Sequence, residues 1–200
     1  MAGDDTAKPD REDAGAALLA EIARLKTELI AAEWKIAELE QRADVDPLLD
    51  ILNRRGFERE LARSLAYVKR YGTAAMLMFI DLDGFKAIND RHGHAAGDTL
   101  LKAVAGLLIE NVRASDMVAR LGGDEFGVLL WHFDAAQAAP KARELEAVIA
   151  SMRVPHASAQ LSVGASVGIA ALAPDADAAA VIETADRAMY ARKKERRGSS

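Results

Sequence analysis

The chain has 200 residues, half of them apolar, a net charge of −5 and no cysteine. That is enough to build one globular domain with an appendage, while the missing cysteines exclude disulfides, thiol catalysis and cysteine-ligated metals. The acidic balance argues against nucleic acid or a membrane surface as partner, and no apolar run reaches the length of a membrane span, so a soluble, cytoplasmic protein is expected.

Residues 1–15 are polar, mix both charges and contain Pro9, which predicts a disordered lead. Over residues 16–43 the apolar positions Leu18, Ile22, Leu25, Leu29, Ala32, Ile36 and Leu39 follow an unbroken 4-3 alternation. That is the seam of a parallel coiled coil, and it predicts a homodimer through this helix. One amphipathic helix packed on its own domain is the alternative. Ile30 and Trp34 fall on the outward face of this register and mark a docking face for a protein partner.

Pro47 closes that helix, and residues 44–200 form the second, larger domain. Phe57, Leu61, Leu65 and Val68 predict a helix that ends near Gly72. Thr73–Asp81 reads as a buried strand running out into Asp81-Leu82-Asp83. A short helix, Phe85–Asp90, and a turn at His92-Gly93-His94 follow, and Gly97-Asp98 opens a helix over Thr99–Val112. The apolar runs Met117–Leu121 and Phe126–Trp131, joined at Gly122-Gly123, predict a hairpin with a tight Gly-Gly turn. A helix over Ala135–Met152, started or interrupted by Pro140, leads through a loop at Arg153–Ala157 into a strand over Gln160–Ala170. The last helix runs from Ala180 to about Arg196. Helices and strands mix without strict βαβ repetition, so the fold class is α+β, with helices packed on a largely antiparallel sheet.

The hairpin tip carries two adjacent carboxylates, Asp124 and Glu125, beside two glycines over which a ligand can approach closely. If the strand ending at Asp81 pairs with this hairpin, Asp81 and Asp124 meet at one sheet edge and form a two-carboxylate Mg²⁺ site for a triphosphate. Asp98, standing before Thr99 and Leu100, can cap the helix that follows it. His92 and His94 have no third ligand nearby and read as turn residues. His132 and His156 carry no signal, and Ser162 and Ser166 lack the surroundings of a nucleophile.

Four segments together carry a resemblance. They are Arg120-Leu121-Gly122-Gly123-Asp124-Glu125-Phe126, the opening Asp46 to Arg55, Gly93-His94-Ala95-Ala96-Gly97-Asp98, and Tyr190 to Gly198. From about Asp46 to Arg197 the sequence resembles the GGDEF family of diguanylate cyclases. The resemblance implies a palm-like nucleotidyl cyclase fold that condenses two GTP into cyclic di-GMP and two pyrophosphates, working as a dimer. It implies Mg²⁺, with Mn²⁺ as the alternative, on Asp81, the Leu82 carbonyl, Asp124 and Glu125. It makes Asp124 and Glu125 the catalytic pair, and the division of the base role between them stays open. Asn89 and Asp98 would read the guanine; Lys86, Lys193 and Arg197, with Gly122 and Gly123, would hold the triphosphate.

Arg113 and Asp116, with five residues between Asp116 and Gly122, match the family's inhibitory Arg-x-x-Asp site for the cyclic di-GMP product. As a bare pattern the pair also fits a surface ion pair. The alternative to an active cyclase is a weak member that acts as a receptor or adaptor binding cyclic di-GMP. Leu49 and Asp50 depart from the family's usual Thr and Gly, which touches coupling to the helix before them. The small residues usual around Lys193 and Arg197 are also replaced.

Overall fold

Residues 1–43 and 44–200 form two separate units, and the computed structural model describes residues 15–31, 44–157 and 159–198. In the first unit residues 15–31 are helical (α1) and exposed throughout. Arg24 reaches Glu21 at 2.6 Å and Glu28 at 2.7 Å, pairs at helical spacing that each add a few tenths of a kcal/mol. The seam residues Leu18, Ile22, Leu25 and Leu29 are exposed, as is Ile30. Gly15, the last residue of the expected lead, is already helical. Residues 1–14, and Ala32, Trp34, Ile36 and Leu39, lie outside the described residues.

The second unit begins with a two-residue strand, β1 (Leu52–Asn53), and a helix, α2 (Arg54–Tyr71). Asn53 caps α2 by accepting from the Gly56 N–H, and Gly72 ends it; Phe57, Leu61, Leu65 and Val68 form its buried face. β2 (Ala75–Asp83) follows and is buried along nearly its whole length. The sheet order is β1-β3-β4-β2-β7, with β3 at Met117–Arg120, β4 at Glu125–Trp131 and β7 at Gly164–Ala171. β2 pairs antiparallel with both β4 and β7, β3 pairs antiparallel with β4, and β1 pairs parallel with β3.

Successive residues of β2 point to opposite faces. Met76, Met78, Ile80 and Leu82 join a core with α3 (Phe85–His92), α4 (His94–Glu110) and α5 (Ala135–Ser151). Ala75, Leu77 and Phe79 join a second core with α2 and α6 (Ala178–Gly198). Helices therefore cover both faces, as the α+β expectation requires. The next residue of the second series is Asp81, so the strand delivers this carboxylate to the α6 face by register alone. No helix among the described residues is long and apolar enough to cross a membrane.

Four expectations need correction. Val154–His156, read as a loop, is β5 and pairs with β6 (Ala159–Leu161), so the single strand expected over 160–170 divides in two. Strands of three residues are too short to show alternation, and Pro155 further masks the first. α4 begins at His94 rather than at Thr99, because the chain reverses within one residue: Gly93 sits at φ 83 and its N–H donates to the Asn89 carbonyl. Asp98 is thereby inside the helix and is not its cap. α5 neither starts nor breaks at Pro140; a capping box between Asp134 and Gln137 sets its start and the proline lies within it. β1 was not anticipated at all.

Candidate active site

The hairpin is wider than a Gly-Gly turn. Its last strand pair is Arg120 with Phe126, the Leu121 N–H donates to the Glu125 carbonyl at 2.8 Å, and Gly122-Gly123-Asp124 make the connection. Neither glycine has positive φ, so a primed two-residue turn is not what demands them. Close approach is. A Cβ on Gly122 would stand 2.3 Å from Glu125 Oε2, whereas one on Gly123 would meet nothing within 4 Å. The first glycine makes room for the Glu125 carboxylate, and the second leaves open space at the surface.

β2 delivers the third carboxylate. Asp81 is the register partner of Glu125 on β4, and the Leu82 N–H donates to the Asp124 carbonyl at 3.1 Å. The expected meeting of this strand with the hairpin thus occurs. From α6, Lys193 Nζ donates to Asp81 Oδ1, and both side chains are largely buried. Two residues along, Asp83 has other partners: Ser166 Oγ at 3.0 and 3.1 Å from its two oxygens, and Arg196 at 3.6 Å. Ser166, dismissed as a nucleophile, is a fully buried donor that holds Asp83 aside.

Burial, and next the charge of Asp81, push the Asp124 carboxyl above its ordinary range; Lys193 and Arg120 pull in the other direction. Burial also raises Glu125, with Asp124 and Asp81 adding to the rise and Arg54 opposing it. Among the described residues no three acidic or histidine side chains converge as a metal cluster. The corner brings Asp81 beside the turn that carries Asp124 and Glu125.

A clamp that the sequence reading overlooked fixes the turn. Arg120 donates to the Gly122 carbonyl at 3.0 Å and the Gly123 carbonyl at 2.8 Å, and its third nitrogen reaches Asp46 at 3.1 Å. Asp46 in turn accepts from the Leu48 and Leu49 N–H groups at 3.0 Å. The only signal available was an arginine two residues before the glycine pair. Asp50, where glycine is usual in the resembled family, takes the left-handed φ of 55 that glycine would take.

The other expected residues divide into three places. Asn89 lies against Gly97, where a Cβ would stand 2.0 Å from Asn89 Oδ1, so α3 and α4 pack closely here, one residue before Asp98. Asn89 Oδ1 is buried without a hydrogen-bond partner, while Asp98 and Lys86 are exposed. The side chain of Arg197 lies outside the described residues. Arg113 and Asp116 are apart from the hairpin tip. They border a cavity of about 340 Å³ with Phe133 and Lys141. Asp116 accepts from the Arg113 N–H at 2.9 Å and the Trp131 N–H at 3.0 Å, and the Arg113 guanidinium lies 5.5 Å from the centre of the Phe133 ring. The pair is thus no side-chain ion pair. His156, which carried no signal, meets the Thr99 hydroxyl at 3.3 Å beside Asp98.

Comparison with known proteins accords with this geometry. The family model described as "Diguanylate cyclase, GGDEF domain" matches residues 43–199. Diguanylate cyclase TpbB of Pseudomonas aeruginosa is 42% identical over 167 residues, which are 82% of this chain and 38% of that protein. The chain thus spans less than two fifths of that relative's length. Among solved structures, a sensory box/GGDEF family protein from Caulobacter crescentus matches with 38% identity and a TM-score of 0.71, covering 76% of this chain and 99% of that one. The coiled coil and GGDEF domain of DgcB from the same organism, in complex with c-di-GMP, matches with 28% identity and a TM-score of 0.75 over 90% and 95%. With a family model over most of its length and the hairpin, the paired strand and the acidic corner in place, this chain belongs to the GGDEF domain family of diguanylate cyclases.

Proposed function

We propose that the chain condenses two GTP into cyclic di-GMP and two pyrophosphates. The observation that carries this reading is the meeting of Asp81 with the Asp124–Glu125 turn beside Lys193, with open space over Gly123. The donor set fits a hard divalent cation, because it is all oxygen and offers two carboxylates at one point of a sheet. In this reading Asp81, the Leu82 carbonyl and Asp124, with Glu125 adjoining, hold Mg²⁺, Mn²⁺ being the alternative. When bound, such an ion supplies charge neutralisation to the triphosphate.

The chain's own residues do the rest. Lys193, with Lys86 and Arg197, holds the phosphates, and the opening over Gly123 admits them. Asn89 and Asp98 take the base: the unpartnered Asn89 oxygen and the Asp98 carboxylate accept from guanine N–H groups. The 3′-hydroxyl of one GTP attacks the α-phosphorus of the other, its proton passes to a carboxylate of the turn, and pyrophosphate leaves. Raised proton affinity makes Asp124 and Glu125 better acceptors than ordinary carboxylates. Each domain presents one GTP, so two must face each other, and the uncovered apolar seam of α1 supports a homodimer that raises their effective concentration.

The Arg113 cavity supports product inhibition, since a guanidinium lying over Phe133 with its backbone pinned by Asp116 is ready to fork onto a guanine edge. The same cavity is what favours the second reading, a receptor that binds cyclic di-GMP without making it. Chromatography of nucleotides after incubating product-stripped protein with GTP and Mg²⁺ decides. Cyclic di-GMP that appears with the native protein and is absent with Asp124→Asn is the expected result. Binding of cyclic di-GMP that needs Arg113, with no synthesis, would establish the receptor instead.

A further inference from the structure

The stripe of α6 that faces the sheet changes character along its length. Val181, Ala185 and Met189 are buried and apolar, and the same face continues as Arg192, Lys193 and Arg196. β7 ends the sheet, so alternate backbone groups along it face away from β2 and need other partners. Two of them are met from the helices. The Val167 N–H donates to Glu146 Oε1 at 3.1 Å, and Glu146, a residue of α5 that is only 7% exposed, receives the guanidinium of Arg192 at 3.2 and 2.9 Å on its two oxygens. The Ala165 carbonyl accepts from Arg196, which also faces Asp83 at 3.6 Å.

α5 and α6 lie on opposite faces of the sheet, in separate cores. Arg192 therefore reaches round the open edge of β7 to the far layer, while Arg196 grips the edge itself. Between these two anchors, on the same helix, stands Lys193 with its nitrogen on Asp81. A two-pronged guanidinium–carboxylate pair fixes direction as well as distance.

We propose that Arg192 and Arg196 are positioning residues: they strap the last turns of α6 across the open edge of the sheet and so hold Lys193 at the Asp81 corner for the phosphates of the nucleotide. Neither touches the substrate; both act through Lys193. This rests on the reading of the corner as a GTP site, and the test separates the two. The pair is removed without stranding a buried charge by Glu146→Gln with Arg192→Met, which keeps an acceptor for the Val167 N–H. Arg196→Met is made separately.

Calorimetric affinity for a non-hydrolysable GTP analogue with Mg²⁺, and cyclic di-GMP formation from GTP, are measured on each protein and again in a Lys193→Ala background. The expected result is nucleotide affinity about 10-fold weaker in either variant, with KM rising more than kcat falls. Melting should stay cooperative, and in the Lys193→Ala background neither change should add more than about twofold, because groups acting through one residue are not additive. Native affinity in both variants, or losses that multiply with that of Lys193→Ala, would overturn the proposal. A native protein that binds the analogue and shows these effects but makes no product leaves the strap standing and removes the cyclase reading. One that does not bind the analogue removes both.

Discussion

Asp81 and Glu125 face each other across β2 and β4, and Asp124 stands one residue before Glu125, so three carboxylates share one end of a buried sheet. Asp124 and Glu125 have raised proton affinity, chiefly through burial and then through neighbouring acidic charge, that of Asp81 at Asp124 and those of Asp124 and Asp81 at Glu125. Folding therefore favours their protonated forms. Their contribution to stability is fully present below the ordinary carboxylate range and is lost as pH rises through the raised values. In chelator, the protein should lose melting temperature as pH climbs through that window. Asp124→Asn should melt higher than the native protein at pH 7 and about equally near pH 4, while making no cyclic di-GMP. Melting curves across pH check the sign; a variant less stable at pH 7 would contradict it.

The two glycines of the turn should behave differently. Alanine at Gly122 collides with the far end of Glu125, which can swing away, so the stability cost should stay below about 1 kcal/mol while turnover falls at least tenfold. Alanine at Gly123 meets no protein atom and should leave melting unchanged. Its effect should appear in KM for GTP, because the methyl group enters the space proposed for the phosphates.

Asp50 adopts a backbone conformation that disfavours any side chain, with its N–H held by the Asp46 carbonyl at 2.9 Å. Asp50→Gly should stabilise the domain by about 1 kcal/mol, seen as a rise of about 3 °C in melting temperature. An unchanged midpoint would mean that the carboxylate compensates locally.

Gly168 lets α6 lie directly on β7. A Cβ there would stand 2.1 Å from both the Ala185 carbonyl oxygen and the Met189 nitrogen, and backbone cannot yield as a side chain does. Gly168→Ala should cost about 2–3 kcal/mol in denaturant unfolding. Because the displaced helix carries Lys193, KM for GTP should rise as well.

Much of this was legible in the sequence because it lies in contiguous patterns. Met76 to Ile80 announce a central strand, and Gly122-Gly123-Asp124-Glu125 announces the acidic turn. What stayed hidden depends on partners distant in the chain. Arg120 looks like one more charged residue of a strand until Asp46 and two turn carbonyls are seen around it. Glu146 reads as a polar position on an amphipathic helix, yet it is buried and shared between β7 and α6. His156 belonged to a stretch taken for a loop, since β5 and β6 are too short for periodicity to speak. The tight Gly-Gly turn expected at the tip is not what requires its glycines: neither has positive φ, and Gly122 makes room for the Glu125 carboxylate.

The corner is assembled from residues far apart in the order of synthesis. Asp81 emerges early, and Lys193 follows 112 residues later. Every pairing that centres β2 in its sheet also waits, first for β4 and then for β7. A ribosome carrying a chain that stops short of α6 therefore presents the acidic turn without its lysine. Such a nascent domain has a sheet to fold, but the cation that faces Asp81 arrives only with the final helix.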